Sequence, residues 1–331
     1  MTRIVAIVPC HNEEAAIGKV VRDLQASLPS IEVVVYDNRS TDKTAENAVR
    51  AGATVRTENL KGKGNVVRRA FADIDADVYL LIDGDDTYDA GAAPRMVEAL
   101  LSGPYDHVLG VREPVTDAQH AYRPAHEFGN HLLNGIVGLI FGVNVGDMLS
   151  GYRVFSRRFV KSFPAVSREF EIETELTVHC LALRIPSTSM KVGFRDRAEG
   201  SESKLRTYRD GWRILNLILN LARHERPVAF YGTLGLLAAL AAVLLGTPVA
   251  VDYLQTGLVP RFPTLFLSLA LLGVSAIMAT AGLVLDGLRK ARHEVGRLSY
   301  LMHRAVTMTT GIPVPTIEPV APLPQATGAA D

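Results

Sequence analysis

Cysteine is nearly missing: the 331 residues hold two, Cys10 and Cys180, far apart in the chain. That excludes a disulfide-framed scaffold and a cysteine-rich zinc site, and it suits a reducing compartment. An excess of either charge is missing too. Against 35 Lys and Arg stand 35 Asp and Glu, so bulk electrostatics draws no nucleic acid to the chain, and none is expected as a partner. No internal repeat of solenoid period is visible. The opening residues, Met1 to Glu14, turn acidic after too short an apolar run for a signal peptide, so none is expected. Apolar residues are plentiful, 48% against 21% charged, which excludes wholesale disorder. The length suits one large or two ordinary domains.

The apolar surplus is unevenly spread. Residues 228–250 and 262–285 carry no charge, and each is long enough to cross a bilayer core of about 30 Å. The competing reading is a pair of buried core helices. A connector over 251–261 makes the two runs a hairpin. Arg223, His224 and Arg226 precede the first run, and Arg289, Lys290, Arg292 and Arg297 follow the second. By the positive-inside bias both flanks face the cytoplasm and the connector faces out. The expected plan is a globular domain over 1–210, an interfacial helix over 211–226 and two membrane helices within 227–286. A basic cytoplasmic segment over 287–306 and a disordered Pro/Ala/Thr-rich tail over 307–331 complete it.

Within 1–210 strands alternate with helices. Apolar strands are expected at 4–8, 32–36, 54–56 and 78–82. A helix with Ile17, Val20, Val21, Leu24 and Leu28 at helical spacing should stop at Pro29. Ser40-Thr41-Asp42 should cap the next helix, and Lys61 to Asn65 should form a basic glycine loop before a helix at 66–74. Such alternation, with polar residues gathered after strand ends, indicates an α/β domain with a mainly parallel sheet and a ligand crevice there. Asp83-Gly84-Asp85-Asp86 follows a buried strand directly. Carboxylates in that place suit a hard divalent cation that brings substrate phosphates with it. Asp and Gly also favour a plain turn, and spacing alone leaves both open.

Other segments share this polar edge. Pro9-Cys10-His11-Asn12-Glu13-Glu14 ends the first strand, and Asp37-Asn38-Arg39-Ser40-Thr41-Asp42-Lys43-Thr44 ends the second. Further along come Lys61-Gly62-Lys63-Gly64-Asn65, Asp147-Met148-Leu149-Ser150-Gly151-Tyr152-Arg153 and Glu199-Gly200-Ser201-Glu202-Ser203-Lys204-Leu205. In order and spacing, over about residues 3–210, the set resembles the inverting family 2 glycosyltransferases of GT-A fold. It is most similar to the group acting on polyprenyl phosphates, the dolichyl-phosphate mannose synthase and GtrB-like enzymes.

The resemblance implies roles. Pro9, Asn12, Glu13, Asp37, Lys63, Asp83 and Gly84 would line the nucleotide-sugar pocket, with Asp37 facing the base. Asp83 and Asp85 would hold Mg2+ or Mn2+, Asp85 the surer ligand. Thr87 stands where several relatives have Gln, Cys10-His11 replaces the usual aromatic before Asn-Glu, and Asn38 replaces an Asp. Arg112, Arg123, Ser150, Arg153 and Lys204 would bind the acceptor phosphate, and Asp147 would orient a group in the site. The implied reaction is inverting, metal-dependent transfer of a hexose from a UDP- or GDP-sugar to undecaprenyl or dolichyl phosphate. It would take place on the cytoplasmic face of an inner or plasma membrane, in cell-envelope glycan synthesis. The alternatives are a membrane glycosyltransferase with another acceptor and a non-enzymatic nucleotide-binding tether. Sugar, nucleobase, lipid length and oligomeric state, a homo-oligomer included, stay open.

The remaining candidates have plainer readings. Cys10 reads as a small buried hydrophobe. His11 reads as a loop residue beside the pocket, and His120, His126 and His131 lack metal-ligand spacing. Glu171, Glu173 and Glu175 read first as a solvated face, although the family has acidic residues there near the donor sugar. Phe128, Leu132, Leu133, Ile136, Val137, Ile140 and Phe141 form one apolar face. Trp212, Ile214, Leu215, Ile218, Leu219 and Ala222 form another, suited to a helix at headgroup level.

Overall fold

The computed structural model describes residues 2–114, 135, 137–138, 141, 146–165, 167, 169, 171–195, 216 and 219–306. A seven-stranded sheet is its frame, in the order β3-β2-β1-β4-β6-β5-β7. The strands are β1 (Ile4–Cys10), β2 (Glu32–Asp37), β3 (Thr54–Thr57), β4 (Val78–Leu81), β5 (His107–Pro114), β6 (Arg153–Ser156) and β7 (Ser187–Phe194). Pairs β1–β2, β1–β4, β2–β3 and β5–β7 are parallel, and β6 runs antiparallel to both its neighbours. The expected mainly parallel α/β sheet is present.

Alternation along the strands builds two cores, because successive side chains point to opposite faces. Ala6, Val8, Val33, Val35 and Leu80 meet the helices α1 (Ile17–Ser27), α2 (Thr44–Arg50) and α4 (Ala93–Ser102). Val5, Ile7, Val34, Tyr36, Tyr79 and Leu81 meet α3 (Lys63–Asp73), α5 (Arg157–Ser162) and α6 (Ile172–Ala182). Burial on both faces explains why β1 and β4 read as continuous apolar runs.

Boundaries moved for local reasons. Helix α1 stops at Ser27, and Leu28 leaves helical geometry with ψ 84°, as a residue before proline must. Helix α2 starts at Thr44, whose N–H donates to Asp42 Oδ1 at 3.0 Å. Of the expected cap only Asp42 serves it; Ser40 and Thr41 bond to Asn12 instead. The expected loop at Lys61 to Asn65 is shorter. Gly62 turns the chain with φ 123°, and Lys63 to Asn65 already form the first turn of α3.

Two long helices end the described chain, α7 (Pro227–Thr256) and α8 (Phe262–Leu301). Gly257 closes α7 in the left-handed region, φ 67°, so the connector is shorter than 251–261. Helix α8 does not stop at 285. Asp286 pairs with Arg289 and Lys290 at helical spacing, and the basic segment continues the same helix. In their most apolar stretches only 17% and 11% is buried, which rules out the core-helix reading and leaves two helices long and apolar enough to span a membrane. They pack through small residues: Ser268 Oγ donates to Ala242 O at 2.7 Å, and Gly235 and Gly282 let the backbones approach.

Candidate active site

The site forms where β1, β2 and β4 end. The chain leaves β1 through His11 and Asn12, and Asn12 takes φ 56°. Its N–H donates to Ser40 Oγ at 3.0 Å, and its Oδ1 accepts from Thr41 N at 2.8 Å. Glu13 N donates to Thr44 Oγ1 at 2.8 Å. The loops after β1 and β2 are thereby stitched into one wall. Asp37 lies at its base, buried. Its Oδ2 accepts from Ser40 N at 3.3 Å, while Oδ1 has no protein partner. An orphaned buried carboxylate oxygen is costly unless a ligand donor meets it.

Asn38 has a structural reason to replace Asp. Its Nδ2 donates to Glu58 O and Leu60 O, both at 2.8 Å, and its Oδ1 accepts from Gly62 N at 2.7 Å. A carboxylate could not donate to those carbonyls.

The opposite wall follows β4. A side chain at Gly84 would collide with the Cys10 sulfur, so only glycine brings this backbone against β1. Cys10 is the buried small side chain it was expected to be, and burial pushes its thiol pKa up. Asp85 is buried, and its Oδ1 accepts from Thr87 Oγ1 at 2.7 Å. Thr87 therefore orients Asp85. Lys63 Nζ reaches back from α3 to Asp83 Oδ1 and to Glu173 Oε1, the latter at 2.6 Å. Burial alone would lower the Lys63 pKa; the two carboxylates outweigh it and hold the ammonium charged. Gly151 closes over this triad, where a Cβ would run into Asp83 Oδ2 and Lys63 Nζ. Tyr88 ties the walls by accepting Gly151 N–H on its hydroxyl at 2.9 Å.

Residues 5–163 match the family model described as Glycosyl transferase family 2. Glycosyltransferase AglJ of Haloferax volcanii is 34% identical over 249 residues, 75% of this chain and 81% of the relative. The chain belongs to glycosyltransferase family 2. A dolichyl-phosphate hexose transferase of the same organism is 26% identical, over 67% of this chain and 95% of its own. In fold the chain is similar to a Mycobacterium tuberculosis glucosyl-3-phosphoglycerate synthase, solved with Mn2+, UDP-glucose and phosphoglyceric acid. The TM-score is 0.54 at 22% identity, covering 67% of this chain and 79% of the other. The GT-A architecture is thus shared, and the chain is a glycosyltransferase.

Because β1, β2 and β4 are parallel neighbours, Pro9, Asn12, Glu13, Asp37, Asp83, Gly84 and Asp85 lie at or just beyond one edge of the sheet, and Lys63 reaches that edge through Asp83. Two expected acceptor-phosphate residues are corrected. Arg153 is fully buried on β6, donating to Ser150 O at 2.9 Å, Thr177 Oγ1 at 2.9 Å and Met148 O at 2.7 Å. Ser150 is fully buried as well and donates to Gly110 O at 2.5 Å. Both hold the turn before Gly151. Arg112 stays at the crevice, clasped by Asp147 through Nε–Oδ2 at 2.6 Å and Nη2–Oδ1 at 2.7 Å. Arg123, Lys204, the 199–205 segment, His120, His126, His131 and Trp212 lie outside the described residues, as does the 307–331 tail. So does most of each apolar face around residues 128–141 and 212–222.

Glu173 corrects the solvated-face reading. It is buried, one oxygen on Lys63 and Oε2 without a partner. Its helix-face neighbours Leu176, Thr177 and Cys180 are buried too, and that i, i+3, i+4, i+7 spacing was the available signal.

Two carboxylates suit a hard cation that completes its shell with substrate phosphates and water. Among the described residues no third acidic or histidine ligand joins them. The donor set fits Mg2+ or Mn2+ on that condition.

Proposed function

We propose that the enzyme transfers a sugar from a nucleotide sugar, UDP- or GDP-linked, to a polyprenyl phosphate with inversion at the anomeric carbon. One observation carries the reading. Asp37, Asp83 and Asp85 lie at one edge of the parallel sheet in a chain whose last described elements are two bilayer-length helices. The likeness to a dolichyl-phosphate hexose transferase supports the acceptor class.

Each residue has a part in this mechanism. Asp37 Oδ1 accepts a ring N–H of the base, and the wall of Asn12 and Glu13 holds the ribose side. Asp83 and Asp85 would hold a divalent ion, which when bound would neutralise charge on the diphosphate leaving group. Lys63 pairs with the Asp83 carboxylate and aims it. A phosphate monoester has a second pKa near 6, so the acceptor oxygen is anionic at pH 7 and attacks without a general base. Asp147 instead orients Arg112, whose planar fork is suited to the acceptor phosphate. Arg123 and Lys204 are proposed to share that task. The helices α7 and α8 cross the inner or plasma membrane with the catalytic domain in the cytoplasm.

The test is transfer by the full chain with Mn2+ or Mg2+, undecaprenyl phosphate and a panel of UDP- and GDP-sugars. One labelled lipid product with inverted linkage is expected. Transfer to none of the panel overturns the reading. Arg112→Ala should weaken acceptor use by roughly ten- to a hundredfold, the worth of one charge-assisted contact, and leave nucleotide binding intact.

A further inference from the structure

The apolar run of α8 ends at Leu285, yet the helix continues through residues 286–301, adding about 24 Å of rise. This extension does not stand free. Tyr300 is buried with Phe155 and Phe159, and its hydroxyl donates to Asp106 Oδ2 at 2.6 Å. Asp106, itself buried, also accepts from Ser156 Oγ at 2.6 Å and Arg158 Nε at 2.5 Å. The Arg158 and Arg297 guanidiniums sit 4.7 Å and 4.9 Å from the Tyr300 ring centre. Ser299 Oγ reaches Lys161 O at 3.4 Å, and Arg297 Nη1 reaches Leu183 O at 3.5 Å. Asp106 immediately precedes β5, at the sheet edge opposite the crevice.

The direction of this contact has a consequence for height. Leu183, just past the end of α6, lies against Gly296, and one helical turn earlier His179 feels the charge of His293. Four residues back on α6 answer to three back on α8, so the two helices run in the same direction. Ten residues before Leu183 is Glu173, which closes the crevice through Lys63 and Asp83. At about 1.5 Å per residue that first turn of α6 falls level with residues 286–289 of α8. The crevice wall thus stands where the apolar run gives way to Asp286, Arg289 and Lys290.

We infer that residues 286–301 of α8 are a strut that sets the catalytic crevice at headgroup height, with Tyr300 the positioning residue that locks strut to sheet. The inference rests on the polyprenyl-phosphate reading. A lipid-borne phosphate cannot rise far from the headgroups without dragging its apolar tail into water, so the site must come to it.

The test uses the full chain in phosphatidylethanolamine/phosphatidylglycerol vesicles. A fluorophore goes on Leu60→Cys at the crevice rim, since both native cysteines are buried, and its distance to a headgroup-labelled lipid is read by energy transfer. A seven-alanine insertion after Lys290 lengthens the strut by about 10 Å while nearly preserving its facing. It should move the fluorophore away by about that distance. It should cut transfer to long-chain undecaprenyl phosphate at least tenfold. Transfer to water-soluble geranyl phosphate, and calorimetric affinity for UDP and GDP with Mn2+, should change less than twofold. Tyr300→Ala should show the same split, and Tyr300→Phe, which keeps the ring, a smaller one. An unmoved fluorophore, undiminished long-chain transfer, or an equal fall with both acceptors overturns the strut. If the unmodified chain transfers to neither acceptor, the acceptor reading fails instead. The distance then decides alone: a shift of about 10 Å supports the strut and no shift overturns it.

Discussion

Asp85 and Gly151 show how much a single position carries in this crevice. Asp85→Asn keeps the size and the Thr87 contact but removes charge that a cation needs. Turnover should fall on the order of 100-fold or more, with the fold intact by circular dichroism. EDTA should silence the unmodified enzyme, and near-normal rates in either experiment would reject the metal role. Gly151→Ala tests the opposite side. The added methyl would run into Asp83 Oδ2 and Lys63 Nζ, so nucleotide affinity should drop at least tenfold in calorimetry. An unchanged affinity would mean that the triad can shift without consequence.

Among the elements, α6 joins the crevice to the strut and carries a pH signature. His179 packs edge-on against Phe159 and Phe163, with Ser162 Oγ 3.1 Å from Nε2. Burial, and secondly His293 on α8, hold its pKa down at about 4. The unfolded chain takes up this proton near pH 6.5 while the native state refuses it until about 4. Its contribution is therefore complete above pH 6.5 and is lost as pH falls toward 4. Between pH 7 and 5 the loss is about 2 kcal/mol. Thermal midpoints in detergent should fall over that range in the unmodified protein and fall less in His179→Gln. Equal slopes would show that His179 protonates without penalty.

For the whole molecule the question is which side of the membrane each part occupies. The flanking arginines and lysines favour the catalytic domain and the C-terminal tail on the inside, with only the short connector outside. In intact cells a membrane-impermeant maleimide should label Gln255→Cys, at the exposed end of α7, and spare Ala329→Cys. Labelling of the tail alone would invert the topology; labelling of both would break the hairpin.

What the sequence determined by itself is what local pattern can carry. Continuous apolar strands, helical spacing and the glycine-flanked carboxylates after β4 placed the parallel sheet and the crevice edge, and two uncharged runs marked the long helices. These readings rest on neighbours a few residues apart, whose periodicity is visible in one dimension. Pairing between distant segments is not. Lys63 meets Glu173 across 110 positions only because α3 and α6 cover the same sheet face. Arg153 looked like a phosphate ligand by its motif and is instead buried under the turn it supports, because β6 inserts between β4 and β5. Tyr300 looked like part of a basic segment after the membrane, and the fold turned it into a lock on Asp106. In each case a charged or polar side chain took its meaning from a partner that the chain reaches only by folding, since a buried polar group is stable only where such a partner waits.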